Sequence, residues 1–176
     1  MLTSSQYGRE LELIVLGSDC LEFPDELPTY VPFIRGVAVA RAAQEEYGWN
    51  PFRPKTSLGR KMLNAVRQAL YVGDPNKLGL YTAIGSALDF YHGVDCFFAF
   101  QQGGDSVASV DLATGRSWTK IRDYKADILV TDKQLVREEF YPDFGHRVAR
   151  IIAMRTIRVP RVRRRKGLKR LGWTNL

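Results

Sequence analysis

Two aspartates stand in apolar runs on either side of a Gly-Gly turn, in the segment 94–114 (VDCFFAFQQGGDSVASVDLAT). A three-residue loop around the glycines would pair Gln101 with Asp105. The same register sets Asp95 directly across from Asp111, with Cβ atoms about 4.5–5.5 Å apart. A buried carboxylate costs several kcal/mol unless it is paired or bound to a cation. The spacing therefore predicts that both carboxylates bind one Mg²⁺ or Mn²⁺ ion.

The turn leaves an alternative open. A two-residue Gly-Gly loop would put the aspartates on opposite faces of the sheet, and either could then end a strand or cap a turn. A further acidic group often completes a metal site. Asp89, near a glycine-rich bend, is one candidate, with capping of a turn as its alternative. Glu45 and Glu46 are others, with ordinary solvation as theirs.

The positive charge of the chain is concentrated at its C-terminal end. The 176 residues have a formal net charge of +7, yet the segment 155–176 holds nine Lys and Arg residues and no acidic residue. Such an arm is typical of a clamp on a phosphate backbone, although a solvated tail or a contact with an acidic protein has the same composition. An Arg-rich tail does not distinguish DNA from RNA. The cations predicted to bind nucleic acid are Arg161, Arg163, Arg164, Arg165, Lys166, Lys169 and Arg170.

Periodicity predicts the elements of the first half of the chain. Residues 10–16 (ELELIVL) alternate before becoming apolar, which favours an early strand. Helices are predicted over 33–47 and 58–70, the second capped by Thr56 or Ser57.

In the second half, glycines break the stretch 80–95 into a short helix or an irregular lead into the hairpin. Residues 125–131 (KADILVT) predict another strand, Asp132 is expected to cap a helix, and 144–154 predict a final helix. The fold class is therefore α/β, a small mixed sheet flanked by helices. The predicted organisation is an N-terminal strand, loop and helix over 1–55, a core over 56–154 and a basic arm over 155–176.

The segments GSALDFYHGVDCFF and VASVDLAT resemble the PD-(D/E)XK nuclease superfamily, in its compact phage and mobile-element forms. The resemblance implies a restriction-endonuclease-like fold, with Asp95 and Asp111 holding Mg²⁺ for cleavage of DNA. The superfamily carries a lysine two residues after the second acidic residue, where this chain has Ala113. Lys125 is predicted to supply that ammonium, with Lys120 as the alternative.

The leading hypothesis is a Mg²⁺-dependent DNA endonuclease. The alternative is a non-catalytic nucleic-acid-binding protein, such as a phage structural or packaging component that acts through the arm. Without a long apolar run or a signal-peptide pattern, we expect an intracellular, cytoplasmic protein, which could be virus-encoded, with no membrane contact. Double-strand cutting would suit a homodimer, although no residue pattern demonstrates one.

Overall fold

A four-stranded mixed sheet lies between two layers of helices. The computed structural model describes residues 4–17, 28–44, 48–101, 105–114 and 125–155, and for residues 4–8 the backbone alone. In chain order the elements are α1 (Ser4–Leu16), α2 (Phe33–Ala43), α3 (Ser57–Ala69), β1 (Leu78–Thr82), α4 (Ala87–His92), β2 (Cys96–Gln101), β3 (Asp105–Ala113), β4 (Ile128–Thr131), α5 (Asp132–Leu135) and α6 (Phe140–Met154).

The sheet has the strand order β1-β2-β3-β4. The first three strands form an antiparallel meander, and β4 runs parallel to β3. The sequence prediction of an α/β fold with a small mixed sheet is therefore confirmed.

Both faces of the sheet are buried, because side chains alternate along each strand. In β2, Cys96 and Phe98 belong to the larger core, which α1, α3 and α6 cover. Phe97 and Ala99 point the other way, into a smaller core shared with α2 and α4. This double burial explains why the strands read as nearly continuous apolar runs.

The predicted strand over 10–16 is wrong, because these residues form the second half of α1. Leu11, Val15 and Leu16 are buried, and their spacing of four and five residues places them on one face of a helix. Thr56, the predicted cap of α3, accepts a hydrogen bond from the Gly59 amide at 3.0 Å. Its hydroxyl donates to the carbonyl of Val15, which ties α1 to α3.

Strand β1 is the element that sequence periodicity missed. It lies at the edge of the sheet, where an unpaired backbone needs partners. Trp49 Nε1 donates to the Leu80 carbonyl at 2.8 Å. The Gln44 amide bonds both backbone groups of Thr82, each at 3.0 Å. Side chains distant in sequence thus cover the outer edge of β1.

Helices α3 and α6 pack closely against each other in the larger core. A Cβ atom at Gly145 of α6 would collide with the backbone carbonyl of Ala65 in α3. We predict that Gly145→Ala lowers the free energy of unfolding by about 1–3 kcal/mol, since the helices must separate to admit a methyl group. Urea denaturation measures this change. The matched control is His146→Ala on the exposed side of the same helix, expected within about 0.5 kcal/mol of the parent protein.

Candidate functional site

Asp95 is positioned by the turn that joins α4 to β2. Helix α4 ends at Gly93, which adopts the left-handed conformation with φ 59° and ψ 45°. The Gly93 amide donates to Asp89 O at 3.1 Å, and the Val94 amide donates to Leu88 O at 3.2 Å. A non-glycine residue is strained in this conformation, so the glycine at position 93 directs the chain into β2.

The predicted register of the β2–β3 hairpin is confirmed. Gln101 pairs with Asp105, and regular pairing continues to Cys96 and Val110. This register excludes the alternative in which a two-residue loop shifts the strands. The turn itself, 102–104, lies outside the described residues.

Beyond the regular ladder, the hydrogen bonds of Asp95 bracket Asp111. The Asp95 amide donates to the Val110 carbonyl at 3.0 Å. The Leu112 amide donates to Asp95 Oδ2 at 2.6 Å. The carboxylate, rather than a backbone carbonyl, is therefore the acceptor for Leu112 at this point of the hairpin. Because the Leu112 nitrogen is bonded directly to the preceding residue, Asp95 Oδ2 lies within about 5 Å of the Asp111 Cα.

The two aspartates offer oxygen donors in a buried place, since each is only 2% exposed. Mg²⁺ is held in proteins by one or two carboxylates together with water and substrate phosphate. The donor chemistry at Asp95 and Asp111 therefore fits this ion or Mn²⁺. Among the described residues, no group of three or more His, Cys, Asp or Glu side chains could hold a metal.

Asp89 has the turn-capping contact that the sequence left open beside a metal role. It lies in the first turn of α4, and its Oδ2 accepts a hydrogen bond from the Gly85 amide at 2.8 Å. Ser86 caps the same helix by accepting from the Leu88 amide at 3.1 Å. The bond to Gly85 accounts for a carboxylate at position 89 without a metal ion.

Lys125 lies outside β4 and is exposed. The strand partner of Asp111 is Leu129, which lies four residues after Lys125 in the chain. Four residues span at most about 14 Å of extended chain, which is the upper limit on the separation between the Lys125 and Leu129 Cα atoms.

Ala113 stands where the superfamily has its lysine. In the sheet, Ala113 pairs with Thr131 of β4. Thr131 is the N-cap of α5, in place of the predicted Asp132. Its amide and hydroxyl both donate to Gln134 Oε1, at 2.8 and 3.1 Å.

Asp127 is a further, partly buried carboxylate that was not predicted from the sequence. Its Oδ2 accepts from the Ser109 amide at 2.9 Å and from the Ser109 hydroxyl at 2.8 Å. Its Oδ1 forms an ion pair with Arg155, directly after α6. A signal was available in the sequence, because Asp127 precedes an apolar strand as Asp95 does.

We predict that Asp127→Ala lowers the free energy of unfolding by about 1–3 kcal/mol, because it leaves the buried Ser109 groups without their acceptor. Thermal and urea unfolding measure the change. Asp143→Ala, which removes an exposed acid at the start of α6, should cost less than about 1 kcal/mol. Equal costs for the two variants would contradict a structural role for Asp127.

Several predicted site residues lie outside the described part of the chain. They are the carboxylates and the lysine named as alternatives, Glu45, Glu46 and Lys120, and the cations of the arm, Arg161, Arg163, Arg164, Arg165, Lys166, Lys169 and Arg170.

No protein-family model, curated protein or solved structure matches this chain. None of the helices within the described ranges is long and apolar enough to cross a membrane.

Proposed function

We propose that this protein is a divalent-metal-dependent nuclease of the restriction-endonuclease-like type that hydrolyses DNA, with Asp95 and Asp111 as the metal ligands. One observation carries the proposal. The hydrogen bonds of Asp95 to Val110 and Leu112 bring its carboxylate against the backbone that carries Asp111. This contact supports the proposal that the carboxylates of Asp95 and Asp111 share one ion.

The two carboxylates suit phosphodiester hydrolysis for a chemical reason. Bound Mg²⁺ or Mn²⁺ would act as a Lewis acid on the phosphate and lower the pKa of an attacking water. Asp95 would offer a hard oxygen ligand at a fixed position, because its amide and carboxylate are hydrogen-bonded to the residues on either side of Asp111. The same rigidity would orient the scissile phosphate relative to the water.

The proposed mechanism includes a cation that assists the attacking water. Lys125 is proposed to supply this cation, because position 113, where the superfamily has a lysine, is an alanine. The assignment requires the ammonium of Lys125, whose side chain is exposed, to lie near the aspartates when substrate binds. Asp89, six residues before Asp95, is proposed only as an additional acidic group of the site.

We predict that the protein nicks supercoiled plasmid in Mg²⁺ or Mn²⁺, that EDTA stops the reaction, and that Asp111→Asn slows it at least about 100-fold. The loss follows from removing a metal ligand, which contributes several kcal/mol of transition-state stabilisation. Gel electrophoresis of the plasmid measures the rate.

The matched control for that assay is Asp105→Asn on the same strand. Asp105 forms an ion pair with Arg41 at 3.0 Å, at the opposite end of β3. Its loss should leave the nicking rate within about threefold of the parent. Lys125→Ala should slow nicking without weakening DNA binding, and an unchanged rate would remove Lys125 from the mechanism. Cleavage that survives in Asp111→Asn would contradict the whole assignment.

A non-catalytic nucleic-acid-binding protein is the second candidate. Two observations favour it: Ala113 stands at the lysine position, and both aspartates are only 2% exposed. Both candidates require the cations of the basic arm to contact the phosphate backbone.

We predict that deleting residues 156–176 flattens the dependence of DNA affinity on salt. For every phosphate that the shortened chain no longer neutralises, the slope of log K against log salt should fall by about 0.9. Arg155 is retained because its ion pair with Asp127 belongs to the folded body. Fluorescence anisotropy at several salt concentrations measures the slope. Lys61→Ala, which removes a body cation paired with Glu138, should leave it unchanged.

A further inference from the structure

An exposed cluster of aromatic rings lies beside the candidate site. Tyr30 and Phe90 are 59% and 55% exposed. Tyr91 contacts both, with ring centroids 5.1 Å from Phe90 and 5.4 Å from Tyr30. His92 lies 5.7 Å from Tyr30 and 5.7 Å from Phe33. These five rings, here called the aromatic platform, form one continuous series of contacts.

The platform is held in place by the fold. His92 Nε2 and the carbonyl of Val31 are 2.9 Å apart, which fixes the imidazole against the start of α2. Phe90, Tyr91 and His92 form the last turn of α4, which the left-handed Gly93 terminates. Rings restrained in this way lose little conformational entropy when a ligand binds.

The chemistry of the platform favours flat, aromatic ligands over aliphatic ones. Offset and edge-on contacts between rings are favourable beyond the area they bury, and every nucleobase has a face that can stack. Asp89 is the acidic residue of α4, and its Oδ2 accepts from the Gly85 amide.

The platform is also close to the candidate metal ligands. His92 is three residues before Asp95, and three residues of chain span at most about 11 Å. This distance equals about three nucleotides of a stacked strand. Bases stacked on the platform would thus belong to the stretch of strand next to the phosphate at the carboxylates.

We propose that the aromatic platform stacks unpaired bases, so that the substrate is single-stranded or has an unpaired segment next to the cleaved bond. Paired bases are not available, because their faces are covered by neighbours within the duplex. The inference rests on the proposed function for its choice of nucleic acid as the ligand.

The test measures binding of the 176-residue chain to fluorescent oligo(dT) and to a duplex of equal length, in EDTA so that no strand is cut. Tyr30→Ala and Phe90→Ala should each weaken oligo(dT) binding by about 5- to 150-fold. Duplex affinity should change by less than about twofold. Tyr71→Ala is the matched control, because Tyr71 is 93% exposed and outside the platform.

Conservative variants separate stacking from simple apolar contact. Phe90→Trp should retain or strengthen oligo(dT) binding, whereas Phe90→Leu should weaken it although the side chain remains apolar. Full binding by the leucine variant would overturn the proposal, and so would equal losses for duplex and single strand. Sedimentation that shows self-association broken by Phe90→Ala would instead assign the rings to a second copy of the chain.

The outcome is separable from that of the nuclease proposal. Binding in EDTA needs no metal, so stacking can hold when plasmid cleavage fails. Conversely, cleavage could depend on Asp111 while Tyr30→Ala binds oligo(dT) normally. That pair of results would contradict the stacking proposal and leave the nuclease proposal intact.

Discussion

The hydrogen bond from the Leu112 amide to the Asp95 carboxylate is the contact on which the site depends. A carboxylate taken out of water needs strong donors, and a backbone amide at 2.6 Å is one. The same bond continues the β2–β3 pairing beyond its last regular pair. One hydrogen bond thus both satisfies the buried Asp95 carboxylate and extends the hairpin. It also places that carboxylate near the backbone of Asp111.

The chain has a useful internal comparison in Asp127. This carboxylate also precedes an apolar strand, but Ser109 and Arg155 bind its two oxygens. Such an arrangement stabilises the start of β4 and joins it to the end of α6. Asp95 instead accepts a hydrogen bond from the Leu112 amide, directly after Asp111 in the chain. The metal role is therefore proposed for Asp95 and Asp111 and not for Asp127, whose two oxygens are bound by Ser109 and Arg155.

Helix α4 connects the chemical and binding features of this face. Its last turn carries Phe90, Tyr91 and His92, and its terminal Gly93 leads directly to Asp95. The exposed rings and the buried Asp95 are therefore joined by only a few residues of chain. Both nucleic-acid hypotheses draw on that geometry, since a binding protein without catalysis would use the rings and the basic arm alone.

Local pattern determined the hairpin, because two glycines and a period of two residues leave few registers that bury both strands, and Gln101 indeed pairs with Asp105. It also determined the Thr56 cap of α3, where a hydroxyl reaches an amide three residues away. Tertiary structure decided the rest. The sequence ELELIVL fits a strand or a helix. Packing of its Val15 and Leu16 side chains into the larger core favoured the helix. Strand β1 and the pairing of Asp127 with Arg155 depend on partners remote in sequence, which no local spacing encodes.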